Sequence, residues 1–355
     1  MNLKKDKILV LYAEVMPYNV VCFKNFVQTT NGEIRVICWG KEKKLTPYEP
    51  PAINNISYYI QSEFKVDKIK KLIDSYQPDI VYVVGRMEQD YLAACLYARG
   101  KGIPVIGTSD NQFSGNWKQK VSKLFSRYLW QRYFTYMMVP GLYQYEYMRY
   151  LGFKREQILF PQYCADTDLF NHYYYENKNA IPKKKQYILF VGRLDTVKGL
   201  DILMDAFVEL KNESYIDLNL MIIGNGPLAN TIPKRSDIIH HSFLEQENII
   251  KLLPEVAFFC LPSRREPWGL VIHELAAAGI PIIATTICGA SAAFVKNGYN
   301  GILIKTCDKQ LLKNAIVQMH NLSGAELSLY GERSFHLSTQ ITPALWTATI
   351  KSILD

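Results

Sequence analysis

The stretch QYILFVGRLDTVKGLDILMDAF, residues 186–207, decides the fold. Its first part, QYILFVG (186–192), is a continuous apolar, β-rich run that stops at a glycine. From Leu200, LDILMDAFVEL (200–210) reads as a helix, so the chain runs strand, glycine turn, helix within one short segment. Apolar runs this unbroken suit a parallel sheet covered by helices on both faces.

The pattern recurs on both sides. After it come the strand runs LNLMIIG (218–224), IIHHSF (238–243), AFFCLP (257–262) and IPIIAT (280–285), with NIIKLLPEV (248–256) as an intervening helix. Before it come KILVLYA (7–13), EIRVICWG (33–40), DIVYVVG (79–85) and IPVIGTS (103–109), with DYLAACLYARGKG (90–102) as a helix that ends in glycines. Between the two series, NHYYYENKNAIPKKKQ (171–186) is polar and shows neither period, so it reads as a linker. The expected organisation is a first Rossmann-like domain over 1–170, the linker 171–186, and a second domain over 187–335. A C-terminal helix within 336–355 is expected to return to the first domain. Two doubly wound α/β domains facing each other across a cleft follow, with ligands at the carboxyl ends of the strands.

A chain of 355 residues with 48% hydrophobic and 21% charged side chains is globular and long enough for two cores. No apolar run reaches the ~18 residues of a membrane span, and Glu14 interrupts the N-terminal apolar run, which reads as a strand rather than a signal peptide. The seven cysteines form no CxxC pair, as expected of reduced thiols in a cytoplasmic protein. Charge is uneven. Residues 1–170 hold 23 Lys plus Arg against 16 Asp plus Glu, whereas 171–355 hold 18 against 17. The first half is therefore the one expected to meet an anionic surface.

Two motifs in the second half carry chemistry. Arg193 and Lys198 lie between the strand end at Gly192 and the first helical turn, where both can converge on a phosphate. In PSRREPWGLVIHELAAAG (262–279) a helix is expected from about Gly269. The backbone N–H groups of Gly269, Leu270 and Val271 then make an anion site at its start. Glu266 precedes that site and Glu274 stands one turn inside the helix. A carboxylate there is costly unless it meets a bound group, and a diphosphate at the helix start would bring sugar and ribose hydroxyls to the two acids.

With Arg193…Lys198-Gly199, IIGNGP (222–227, with Gly224 and Gly226) and Glu266…Glu274 in this order and spacing, residues 186–304 resemble the nucleotide-binding domain of the retaining GT-B glycosyltransferases, glycosyltransferase family 4 (glycosyl transferases group 1). The resemblance implies that Arg193 and Lys198 bind the donor diphosphate, that Glu274 holds the ribose and that Glu266 holds the transferred sugar. It implies a donor site including Gly192, Gly224, Gly226, Gly269, Leu270 and Val271, and no cofactor or metal beyond the nucleotide diphosphate sugar. The expected activity is transfer of that sugar, with retention, to a hydroxyl of a lipid-linked glycan or surface polysaccharide intermediate. A hydrolase or epimerase of the same fold, or a non-catalytic sugar-nucleotide-binding partner, are the alternatives. The first half resembles the family more loosely, in YAEVMPYNVVCFKNF (12–26), which contains Tyr18, and in FPQYCADTDLF (160–170). It departs from it in having no histidine in residues 1–170, and Asp110 or Asn111 is read as the stand-in near the donor sugar and acceptor. Ala292 and Ala293 stand near the place where the family often has a glutamate.

Other signals are set aside. Asp166-Thr167-Asp168 is a DxD, but it falls at the domain end rather than at a strand terminus with a glycine turn. GNGPLA (224–229) follows the second strand of its domain, not the first, so it is not a nicotinamide fingerprint. The histidines lack metal-ligand spacing, and nucleic acid is not an expected partner.

In WKQKVSKLFSRYLWQRYF (117–134), Val121, Leu124, Phe125, Tyr128 and Leu129 form one apolar helix face, expected against the first-domain sheet. Lys120, Lys123, Arg127 and Trp130 gather opposite, as an outward face for the anionic inner surface of the cell membrane.

Overall fold

The structure, a computed structural model, describes residues 5–44, 48–178, 186–306 and 308–354. The chain divides into two compact units, one of residues 1–164 with 341–355 and one of residues 165–340.

The first unit contains strands β1 (Lys7–Leu11), β2 (Glu33–Cys38), β3 (Ile56–Ile60), β4 (Ile80–Val83), β5 (Val105–Thr108), β6 (Tyr136–Met138) and β7 (Ile158–Leu159). All pairings are parallel, in the order β3-β2-β1-β4-β5-β6-β7. Helices α1 (Pro17–Thr30), α2 (Val66–Tyr76), α3 (Gln89–Gly100), α4 (Trp117–Leu124) and α5 (Leu142–Tyr150) connect them. The pleat of β1 sends Leu9 and Leu11 into a core with Tyr91, Phe134 and Met137, and Ile8 and Val10 into a second with Phe23 and Phe26.

The second unit contains α6 (Thr167–Asn177), β8 (Tyr187–Val191), α7 (Leu200–Asn212), β9 (Asn219–Ile223), β10 (Ile238–His241), α8 (Gln246–Leu252), β11 (Val256–Leu261), α9 (Leu270–Ala277), β12 (Ile282–Thr285), α10 (Gly289–Phe294), β13 (Gly301–Ile304), α11 (Lys309–His320) and α12 (Gly324–Ser338). Its six strands are also parallel, in the order β10-β9-β8-β11-β12-β13. The last helix, α13 (Pro343–Leu354), belongs to the first unit. There Trp346 packs at 5.8 Å from Phe23 and 5.9 Å from Tyr82, and Lys351 Nζ meets Asp6 at 3.0 Å.

Two expectations about elements change. Residues 171–177, read as the start of a linker, continue α6. Asp166 caps that helix by accepting the Leu169 N–H at 3.2 Å, and Phe170 and Tyr173 are its buried side. The central linker residues 179–185, and Cys307, lie outside the described residues. The other six cysteines are buried and not joined in disulfides.

The segment 117–134 is not one helix. α4 ends at Leu124, and a wider π-helical turn follows over Arg127–Gln131. Its orientation also reverses the expectation. Val121, Leu124, Phe125 and Tyr128 are exposed, Leu124 at 77%. Trp130 instead turns inward, packs on the first-unit core and donates its indole N–H to Ser122 Oγ at 3.0 Å. The wide turn shifts the helical phase after Phe125, so Leu129 leaves the exposed stripe and Trp130 turns away from the basic residues it is spaced with in the sequence.

Candidate donor-binding site

In each sheet the strand order reverses once, between β1 and β4 and between β8 and β11. At such a switch point the loops leaving the two central strands part and open a crevice. In the second unit those loops are 192–199, after β8, and 262–269, after β11. These are the segments that carry Arg193, Lys198 and Glu266.

The two loops are tied together closely. Gly199 has φ +75°, and a Cβ there would lie 2.1 Å from the Pro262 carbonyl oxygen, so only glycine fits. The Val197 carbonyl accepts the Arg264 N–H at 2.8 Å. Arg264 then reaches Asp201, in the first turn of α7, through paired bonds of 2.6 and 2.8 Å. Across this junction the Lys198 ammonium forms an ion pair with the buried Glu266 carboxylate. Ser263 Oγ lies 3.5 Å from the same carboxylate.

Asp195 organises the other side. Its carboxylate accepts the Lys198 backbone N–H at 2.8 Å and pairs with the Arg193 guanidinium. Arg193 remains largely exposed, while Asp195 is buried. Sequence reasoning passed over Asp195. Its signal was an acid three residues before Lys198, the spacing of a side chain that closes a turn onto a backbone N–H.

Gly224 and Gly226 sit where neighbouring loops touch. A Cβ on Gly224 would lie 2.0 Å from the Gly192 carbonyl oxygen, and one on Gly226 2.4 Å from that of Leu194. Their lack of a side chain lets the loops after β8 and β9 close on each other. Gly269 is the N-cap of α9, so Leu270 and Val271 begin the helix, with their N–H groups in the first turn. Glu274 follows one turn later, half-buried, and accepts the Gln246 side-chain amide at 2.6 Å. Burial pushes its carboxyl up to about 7; the Gln246 bond pulls it down and the Asp166 charge pushes it up.

His273, beside Glu274, is fully buried, with its ring bonded to the Ala165 N–H and facing the Ser338 carbonyl. It is a structural histidine. Asp166 is occupied as the α6 cap, and among the described residues no group of three or more His, Cys, Asp or Glu could hold a metal ion.

Asp110, Asn111 and Tyr18 belong to the first unit. Asp110 and Asn111 follow β5, both exposed. The Asp110 carbonyl accepts Gln144 Nε2 at 3.2 Å, and the Asn111 N–H donates to Ser109 Oγ at 3.3 Å. Tyr18, in the first turn of α1, packs its ring 4.8 Å from that of Tyr163. Burial raises the Tyr18 hydroxyl well above the tyrosine range, with Tyr12, Asp110 and Glu14 adding to the effect. Tyr12 itself is pushed up to about 12, mainly by burial. A cluster of hydroxyl and carboxyl groups thus gathers beside the ends of β1 and β5.

Two parallel-sheet, Rossmann-like units define the chain as a GT-B fold, and the second unit has cationic side chains and a helix start at its switch point. The comparisons go one step further. Residues 174–329 match the family model described as glycosyl transferases group 1, so this stretch is a domain of that family. An uncharacterised glycosyltransferase of Methanocaldococcus jannaschii is 32% identical over 139 residues, 38% of this chain; the chain spans only 38% of that relative's length. Among solved structures, the Anabaena protein HepE in complex with UDP has a TM-score of 0.73 at 15% identity, covering 98% of both chains. WaaG, a glycosyltransferase involved in lipopolysaccharide biosynthesis, has a TM-score of 0.64 at 15% identity, also covering 98% of both. At that identity the two structures establish the likeness of fold.

Proposed function

We propose that the protein is a retaining, metal-independent glycosyltransferase of glycosyltransferase family 4. It moves a sugar from a nucleotide diphosphate donor to a hydroxyl of a lipid-linked glycan or surface polysaccharide intermediate. The observation that carries this reading is the junction of the two switch-point loops, where Lys198 is paired to Glu266 and Arg193 stands one loop turn away. The nucleoside diphosphate is the leaving group. Arg193, Lys198 and the first-turn N–H groups of α9 stabilise the charge that develops on it, the task a metal performs elsewhere. Glu266 accepts hydroxyls of the transferred sugar and Glu274 those of the ribose. The leaving phosphate takes the acceptor proton on the same face of the sugar, so the step needs no protein base. Asp110 or Asn111 stands near the donor sugar and acceptor, and Tyr18 with it.

HepE, the protein of like fold, is solved with UDP, which supports a uridine nucleotide as the first donor to try. WaaG supports an acceptor of the lipopolysaccharide kind. The first unit adds a surface to match: the exposed apolar side chains of α4 and the turn after it, with Lys120, Lys123 and Arg127 also exposed. We place this face on the inner leaflet of the cell membrane as a peripheral attachment on the cytoplasmic side.

The test is incubation with uridine, guanosine and adenosine diphosphate sugars, following nucleotide release with and without acceptor glycolipid. Acceptor-dependent release of one nucleotide, insensitive to chelator, is expected. Arg193→Ala or Lys198→Ala should each lower kcat/KM by about 10²–10³, roughly 2.7–4 kcal/mol. Acceptor-independent release of free sugar would make the protein a hydrolase. Unchanged turnover in the double variant would remove the site assignment.

A further inference from the structure

Glu274, the proposed ribose residue, is itself held by a neighbouring side chain. Gln246 stands at the first position of α8, 28 residues earlier in the chain, and its side-chain amide donates to Glu274 Oε1 at 2.6 Å. An uncharged donor fixed to one carboxylate oxygen sets the plane of the group and leaves its other oxygen as the acceptor for a ligand hydroxyl. We propose that Gln246 is a positioning residue for nucleotide binding, orienting the Glu274 carboxylate toward the donor ribose and holding it in the charged form. The inference rests on Glu274 being the ribose residue.

The surroundings explain why such a donor is needed. The carboxyl of Glu274 is pushed up to about 7, first by burial; Gln246 works against this and the Asp166 charge with it. Asp166 is the acid at the α6 cap. The other elements against α9 have their charged groups engaged elsewhere or exposed. On α6, His172 pairs with Glu176 at 3.1 Å and Asp168 is exposed. α10 (Gly289–Phe294) has no ionisable side chain. On α12, Arg333 donates to the Tyr299 carbonyl at 2.9 Å, and Glu332 and His336 are exposed. On α9 itself, His273 has its ring engaged by Ala165 and Ser338. Gln246 is therefore the group that favours the carboxylate over the neutral acid. A carboxylate can accept both ribose hydroxyls, whereas the acid gives up part of that capacity to its own proton.

The sign of the effect follows. Without the Gln246 donor the charged form is reached only at higher pH, so nucleotide affinity should fall most near and below neutrality and return as pH rises. Gln246→Glu should do the reverse, its carboxyl donating while protonated and repelling Glu274 once ionised.

The experiment is calorimetric titration of the full-length protein with UDP, and with GDP and ADP if UDP does not bind, at pH 6, 7, 8 and 9. Wild type, Gln246→Leu, Gln246→Glu, Glu274→Gln and the Gln246→Leu/Glu274→Gln pair are compared at each pH, because the phosphate of the nucleotide titrates in the same range. Expected is an affinity loss of about tenfold for Gln246→Leu at pH 7, the scale of one charge-assisted bond. At pH 9 most of it should return. Gln246→Glu should bind progressively worse as pH rises, and Gln246→Leu should change nothing further on the Glu274→Gln background. A loss independent of pH, or one undiminished on that background, overturns the proposal and leaves the ribose reading standing. Nucleotide binding that is insensitive to Glu274→Gln overturns the ribose reading itself, and this proposal with it.

Discussion

Glu266 and Glu274 are both acids near one helix start, but their partners divide their roles. Glu266 is buried and ion-paired with Lys198, whereas Glu274 has a neutral amide partner and a carboxyl raised to about 7. A carboxyl raised on folding is protonated in the fold at a pH where the unfolded chain has already lost that proton. It therefore costs stability as pH climbs from the ordinary carboxyl range through 7. Glu274→Gln should raise stability at pH 8 by roughly 1–2 kcal/mol once the water reaching this half-buried group is allowed for, and the melting temperature with it, and change both little at pH 5. The same change should weaken binding of the free nucleoside diphosphate. Glu266→Ala should instead leave that affinity nearly intact and impair sugar transfer. Thermal melts at the two pH values with calorimetry on both variants check this; equal losses of nucleotide affinity would refute the division. The places of Arg193, Lys198, Glu266 and Glu274 in the fold were legible because each is fixed by local spacing from a glycine turn or a helix start. Gln246 was not. Its pairing with Glu274 depends on how α8 and α9 meet, and nothing within 28 residues of chain announces that.

At the scale of elements, the central strands were legible and the marginal ones were not. β4, β8 and β11 are apolar along their whole length, and β1 is so after Lys7, because helices cover both sheet faces. β6 (Tyr136–Met138) and β7 (Ile158–Leu159) are three and two residues long, too short for a period to show, and β13 (Gly301–Ile304) opens on a glycine at the edge of its sheet. β3 is mixed in burial, as a strand at the sheet edge is. α13 has a different lesson: a helix that closes the chain is part of the first core. Trp346 is 1% exposed and touches Phe23, Phe26 and Tyr82. Trp346→Ala should cost about 3–5 kcal/mol of first-unit stability, the range for removing a large buried aromatic. Urea unfolding followed by circular dichroism measures it. A midpoint within error of wild type would mean that α13 adds nothing to that core.

The whole molecule has an uneven distribution of charge, with residues 1–170 holding 23 basic against 16 acidic side chains. The fold turns this asymmetry into a surface. Trp117, Leu124, Phe125 and Tyr128 are 69, 77, 49 and 66% exposed, an unusual concentration of large apolar groups for one short stretch facing water. Lys118, Lys120, Lys123 and Arg127 are exposed beside them. Sequence reasoning found the basic residues but faced the helix the wrong way, since an amphipathic period does not say which side meets the sheet. With the apolar groups outward, attachment should combine two forces. Each basic residue near an anionic leaflet adds about 1 kcal/mol, lost at high salt. The apolar side chains add a contribution that salt does not screen. Flotation with anionic vesicles should therefore recover the protein at low salt and only part of it at high salt. Lys120→Gln, Lys123→Gln and Arg127→Gln together should abolish the salt-sensitive part, and Trp117→Ser with Leu124→Ser the salt-resistant part. Neutral vesicles should retain little. No association with anionic vesicles at low salt, or association unaffected by either set of changes, would show that this face does not meet a membrane.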